Sequence, residues 1–314
     1  MSQANSVADL AALRANIELA VLGKSDVVKL VVAAIMAGEH ILLEDVPGVG
    51  KTLIAKALAR SINGKFTRLQ FTPDLLPSDI TGSSIYNSST GQFTFNAGPI
   101  FANVVLADEV NRAPPRTQSA LLEAMGEGQV SVDGETHFLP DPMLVIATQN
   151  PFEFEGTYLL PESQLDRFLL RITVGYPSRE HELRLLSSHR VGEPVDELGP
   201  VIEPSRIREL QKIVRGVNVE ESLVNYLLDI IHATRDSDAV QVGVSTRGAL
   251  AYYRAAQALA TVENREHVIP DDIKRLAIPV LAHRIVPRGI LPGADRSASE
   301  EVVRQLLASI AVPV

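Results

Sequence analysis

The sequence predicts an α/β fold, with a parallel five-stranded sheet that carries two β-hairpin insertions and is followed by an all-helical region. Three observations predict it. Up to about residue 176, five short apolar runs alternate with helical patterns; two stretches inside that region alternate apolar and polar residues around turn signals; and after Tyr176-Pro177 the periodicity becomes entirely helical.

The five runs span residues 40–44, 66–71, 103–108, 143–148 and 169–174. The middle runs are too apolar to be half exposed, which makes them central strands covered on both faces. Residues 83–96 turn at Ser89-Thr90-Gly91 and residues 129–139 at Asp133-Gly134, so each reads as a hairpin inserted into the alternating pattern. Beyond the sheet, helices are expected at about 179–190, 205–215, 221–235, 246–262, 271–285 and 296–311. Ser205, Glu220 and Ser245 stand near helix starts, and Pro270 holds a first-turn position. Residues 191–204 contain three prolines and read as a loop, which suggests a division into domains 1–190 and 191–314.

The 314 residues are 46% hydrophobic, enough for a substantial core. Acidic side chains outnumber basic ones 38 to 29, a net charge of -9, which argues against a chain whose main affinity is for nucleic-acid phosphates. Without cysteine there can be no disulfide, thiolate nucleophile or Cys-ligated metal, and the seven histidines are scattered singly. No stretch is long and apolar enough to span a bilayer, and the N-terminus lacks the pattern of a secretory signal, so a soluble, cytoplasmic protein is expected.

The strongest chemical signal is the stretch Asp45, Val46, Pro47, Gly48, Val49, Gly50, Lys51, Thr52 and Leu53, between the first strand and a helical run. Glycines here let backbone N–H groups wrap a phosphate at a helix N-terminus. Lys51 would reach the β- and γ-phosphates and the Thr52 hydroxyl would ligate Mg²⁺. Asp45 occupies the position that is usually the first glycine of such a loop. The run 104–107 ends in Asp108-Glu109 at a strand's C-terminal edge, where open α/β sheets bind ligands. Asp108 would hold Mg²⁺ through water, and Glu109 would orient and deprotonate an attacking water. Asn150 places an amide at the end of the fourth strand. Two arginines break local rules: Arg167 sits just before the fifth strand, and Arg247 lies in a helix's first turn, where a cation calls for a compensating anion.

In this order the residues resemble the MoxR family of AAA+ ATPases. The resemblance runs from Val21-Leu22-Gly23 through the phosphate loop, Leu106-Ala107-Asp108-Glu109-Val110-Asn111-Arg112-Ala113-Pro114-Pro115-Arg116-Thr117-Gln118, Ala147-Thr148-Gln149-Asn150-Pro151, Glu155-Gly156-Thr157-Tyr158 and Leu165-Asp166-Arg167-Phe168 to Ser245-Thr246-Arg247. It implies a P-loop αβα sandwich with a helical lid and a ring-shaped homo-oligomer, usually hexameric, with ATP at subunit interfaces. It also implies that Asn150 is sensor 1, Arg247 is sensor 2 and Arg167 is the arginine finger, with Arg112 and Arg116 as other candidates for the finger. Arg247, on the lid, is expected to serve its own subunit's nucleotide, and Arg167 a neighbour's. Lys24 stands where many relatives carry Gln. The implied activity is Mg²⁺-dependent ATP hydrolysis coupled to chaperone-like remodelling of a protein partner, often one bearing a von Willebrand factor A domain. A nucleotide-dependent assembly module with negligible hydrolysis, or a P-loop kinase of a small metabolite, would use the same phosphate cradle.

Overall fold

The computed structural model describes residues 3–150, 156–188, 193–289 and 296–313, so Pro151 and Glu155 of the quoted motifs lie outside the described residues. Helices α1 (Gln3–Ala20) and α2 (Ser25–Ala37) precede β1 (His40–Glu44), α3 (Lys51–Ser61), β2 (Phe66–Gln70) and α4 (Pro77–Thr81). The hairpin β3 (Gly82–Asn87) and β4 (Gln92–Ala97) leads to β5 (Val104–Asp108) and α5 (Pro115–Glu127). A second hairpin, β6 (Gln129–Val132) and β7 (Glu135–Phe138), is followed by β8 (Leu144–Gln149), α6 (Glu162–Leu165) and β9 (Phe168–Ile172). The C-terminal part comprises α7 (Arg179–Ser188), α8 (Pro204–Val214), α9 (Glu221–Asp236), β10 (Val240–Val242), α10 (Thr246–Val262), α11 (Pro270–Leu281), β11 (Val286–Pro287) and α12 (Arg296–Ser309).

Strands β2, β5, β8, β1 and β9 pair in that order, all parallel. Their side chains alternate between two apolar layers. Ile41, Leu43, Val104, Leu106, Leu144 and Ile146 pack with α1, α2 and α3, whereas Leu42, Val105, Ala107, Val145 and Ala147 pack with α5. Strands buried on both faces have no polar side to show, which explains why their sequences read as continuous apolar runs. The sheet is therefore the middle layer of an α/β sandwich, and the C-terminal helices continue the first layer through α2, α8 and α10.

Both hairpins form where the turn residues place them. Asp133 (φ 52°) and Gly134 (φ 84°) supply two consecutive left-handed residues, the conformation a two-residue hairpin turn requires. The hairpins meet through Phe95 and His137, whose rings stack with centroids 3.7 Å apart. The C-terminal region departs from the all-helical expectation, because β10 and β11 form a small antiparallel pair. Pieces of three and two residues are too short to carry a period-two signal.

Candidate nucleotide site

From the end of β1 the chain turns through residues 45–50 into α3. Gly48 (φ 85°) and Gly50 (φ 93°) adopt left-handed backbone angles that favour glycine. A Cβ on either would meet nothing within 4 Å, so the turn borders open space. Gly50 caps α3 with no side-chain bond, and no acid stands in its first turn, so no side chain competes for the leading N–H groups. Lys51, Thr52 and Leu53 open the helix, and an oxyanion is the natural ligand of such an end.

Asp45 leaves this cradle clear because its carboxylate is engaged elsewhere. Oδ1 accepts from the Val46 N–H at 2.8 Å, and Oδ2 accepts from the Gly175 N–H beyond β9. Lys24 fastens the same turn, donating from Nζ to the carbonyls of Val174 (2.7 Å) and Tyr176 (2.8 Å). At this position Lys24 therefore positions backbone. Lys51 Nζ donates to the Asp45 carbonyl at 2.8 Å. Burial pushes its ammonium below the ordinary lysine range, against the upward pull of Asp108, Asp45 and Glu109.

The acids arrive on β5, which β8 separates from β1. Asp108 ends β5 and Glu109 (φ 58°) turns the chain into a short 3₁₀ segment, Val110–Arg112. Thr148 on β8 ties both: its hydroxyl donates to Asp108 Oδ1 at 2.5 Å and accepts from the Glu109 N–H at 2.9 Å. Arg68 on β2 donates to Asp108 Oδ2 from Nε (3.1 Å) and Nη2 (2.5 Å). Gln70 donates to Glu109 Oε2 at 2.7 Å, and Arg112 Nε lies 3.2 Å from the same oxygen. Asn150 is buried one residue beyond β8, at this same sheet edge. Sequence reasoning missed Thr148, Arg68 and Gln70 as members of the site. Locally they are polar side chains within strands, Arg68 and Gln70 on β2 and Thr148 on β8.

Below this edge, Gln118 on α5 donates to the carbonyls of Val110 (3.1 Å) and Tyr158 (3.0 Å), and the Tyr158 N–H donates to the Asn111 carbonyl at 2.6 Å. The Asp-Glu-Val-Asn block thus holds the segment after residue 156 against α5.

Arg167 and Arg247 are elsewhere. Both line a cavity of about 320 Å³ together with Gly38, His40, Arg254 and Arg284. His40 opens β1 and Phe168 opens β9, so this cavity lies at the N-terminal edge of the sheet, opposite the cradle. At ~3.3 Å per residue a five-residue strand separates the two edges by roughly 15 Å. The sequence reading put Arg247 on its own subunit's nucleotide; the structure sets it beside Arg167 instead. The packing of α10 and α11 against the start of β9 decides this, and no local pattern encodes it. Of the other finger candidates, Arg112 faces Glu109 and Arg116 stands exposed in the first turn of α5.

A phosphate cradle and an Asp-Glu pair at the C-terminal edge of a parallel sheet, with a helical lid behind it, define a P-loop nucleotide-binding protein of the AAA class. The family model described as "ATPase family associated with various cellular activities (AAA)" matches residues 40–170, and the AAA lid domain matches 232–306. YeaC of Bacillus subtilis is 50% identical over 95% of this chain and 93% of its own length. Chaperone MoxR1 of Mycobacterium tuberculosis is 41% identical over 93% of this chain and 79% of its own. A crystal structure from Cytophaga hutchinsonii, provisionally named an ATPase, superposes with a TM-score of 0.89 at 36% identity, covering 99% of this chain and 97% of that one. The chain belongs to the MoxR family of AAA+ ATPases.

Proposed function

We propose that this protein hydrolyses ATP at subunit interfaces of a ring and couples the cycle to remodelling of a partner protein. The observation that carries the reading is the meeting of an open phosphate cradle with Glu109 at one sheet edge, where Thr148, Gln70 and Arg112 hold the acid. The backbone of residues 45–50 and the first turn of α3 receive the phosphates, and Lys51 faces the β- and γ-groups. Thr52 and Asp108 are hard oxygen donors suited to Mg²⁺, whose charge, when bound, offsets that developing on the phosphate oxygens. Glu109 orients the attacking water and accepts its proton, and Asn150 faces the γ-phosphate from the same edge.

Arg167 and Arg247 complete the charge stabilisation from the neighbouring subunit. Their shared cavity supports this, since it lies a strand's length from the cradle of their own chain. The division at about residue 190, a cytoplasmic setting, a hexameric ring and a partner with a von Willebrand factor A domain belong to the same reading. The name of the M. tuberculosis relative, Chaperone MoxR1, supports the remodelling role.

Steady-state phosphate release, with and without small hydroxyl acceptors, tests the reading. Hydrolysis should need no acceptor, which separates an ATPase from a kinase. In Glu109→Gln, ATP should still bind while turnover falls by roughly two to four orders of magnitude. Turnover within a factor of about two of the unchanged protein would remove Glu109 from the mechanism.

A further inference from the structure

The cavity that gathers Arg167 and Arg247 has a carboxylate in its wall, Asp166, whose two oxygens are divided between two parts of the lid. Oδ1 accepts from Arg284 Nε at 2.8 Å, and Oδ2 accepts from the Ser245 hydroxyl at 3.0 Å. Ser245 is the cap of α10, its Oγ taking the Gly248 N–H at 3.0 Å, and Arg247 follows two residues later. Arg284, just beyond α11, is buried to 2% side-chain exposure and donates further to the carbonyls of Phe168 (2.7 Å), Leu169 (3.1 Å) and Val280. A guanidinium so buried needs a counter-charge, and Asp166 supplies it. Gly248 makes room for this arrangement, because a Cβ there would come within 2.9 Å of Arg284 Cδ.

Arg167 is the next residue in the chain. Its guanidinium lies over Gly126 of α5 and donates to the Leu122 carbonyl at 2.7 Å. Asp166 is thus the point at which the backbone carrying one cavity arginine is tied to the helix carrying the other. Two charges on separate elements can converge on one phosphate only if those elements keep a fixed relation. An error of about 1 Å in such a constellation costs up to about 100-fold in rate.

We propose that Asp166 is a positioning residue that fixes Arg167 and Arg247 relative to each other, and thereby aims both at the γ-phosphate of a neighbouring subunit. This rests on the reading that both arginines act across an interface. It goes beyond that reading in assigning the lid-to-sheet contact that makes them act together.

The test uses the full chain with Asp166→Asn, which keeps shape and removes charge, and with Ser245→Ala, which cuts the tie to α10, together with the cap bond to the Gly248 N–H, and leaves the Asp166–Arg284 pair. In assembled protein kcat should fall by about 10- to 100-fold in either variant. The free subunit should bind ATP within about twofold of the unchanged protein, since the cradle is at the other edge. In an Arg247→Ala background, Asp166→Asn should lower kcat by less than about twofold more, as coupled residues do. Asp166→Asn subunits mixed with Lys51→Ala subunits should regain activity. Weakened ATP binding by the free subunit, or a loss that multiplies with that of Arg247→Ala, would overturn the assignment. If Arg167→Ala and Arg247→Ala themselves show no recovery with Lys51→Ala, the interface reading falls and this inference with it. If they recover but Asp166→Asn and Ser245→Ala leave kcat unchanged, only the role of Asp166 falls. Should Asp166→Asn not fold, Ser245→Gly, which removes the tie while a helix start tolerates glycine nearly as well as serine, decides in its place.

Discussion

Thr148 uses a single buried hydroxyl on both acids, donating to Asp108 and accepting from the Glu109 N–H. The second bond helps to hold Glu109 at a positive φ, a conformation that costs a non-glycine residue of order 1 kcal/mol or more. Thr148→Val keeps the shape and leaves a half-buried carboxylate oxygen and an N–H without their Thr148 partner, a loss of about 1 kcal/mol. The melting temperature should drop, and kcat should fall by about tenfold or more while ATP affinity changes less. Thermal unfolding with parallel calorimetry checks this, and wild-type turnover in Thr148→Val would contradict it. Lys51, Asp108 and Glu109 were legible in the sequence because each motif is continuous: a glycine turn with its lysine, and an apolar strand ending in two acids. Thr148, Arg68 and Gln70 were not, because they reach Asp108 and Glu109 across strand pairs, and the order β2-β5-β8 is not written in any local window.

At the scale of elements, α5 serves as the bed of Arg167. A Cβ at Gly126 would lie 2.5 Å from the Arg167 guanidinium, so alanine there displaces the far end of a flexible side chain without disturbing backbone. Alanine is the better helix former by ~1 kcal/mol. Gly126→Ala should therefore leave the melting temperature unchanged or raised, and lower turnover of the assembled protein severalfold. Its effect should vanish in an Arg167→Ala background, where the clash is gone. A fall in stability, or the same loss of turnover without Arg167, would argue against this account. The central strands, the hairpins, the cap at Ser245 and the first-turn proline Pro270 could be read from periodicity and turn chemistry. The two-stranded β10–β11 pair was too short to show, and the seat of α10 was hidden because Asp166 and Arg284, which fix it, are 118 residues apart in sequence.

For the whole molecule, an arginine that reaches a neighbour's γ-phosphate gives ATP a contact across the interface that ADP lacks, so ATP should favour assembly. Reciprocity then requires assembled protein to bind ATP more tightly than free subunits do. Sedimentation of Glu109→Gln over a concentration series, with ATP, ADP or no nucleotide, should show the largest species with ATP; a monomer in all three at micromolar protein would refute it. The placement of cradle and arginine cavity at opposite edges of one sheet also restricts symmetry. In a two-fold dimer the contact between cradle and arginines would have to form twice across one shared patch, whereas the two lie at opposite edges of the sheet. A head-to-tail arrangement matches unlike edges directly, and any open row of subunits leaves one cradle at its end unserved. Activity per subunit should then climb with the length of the row and level off at closure, so that the geometry of a single sheet rewards the chain for meeting its own tail.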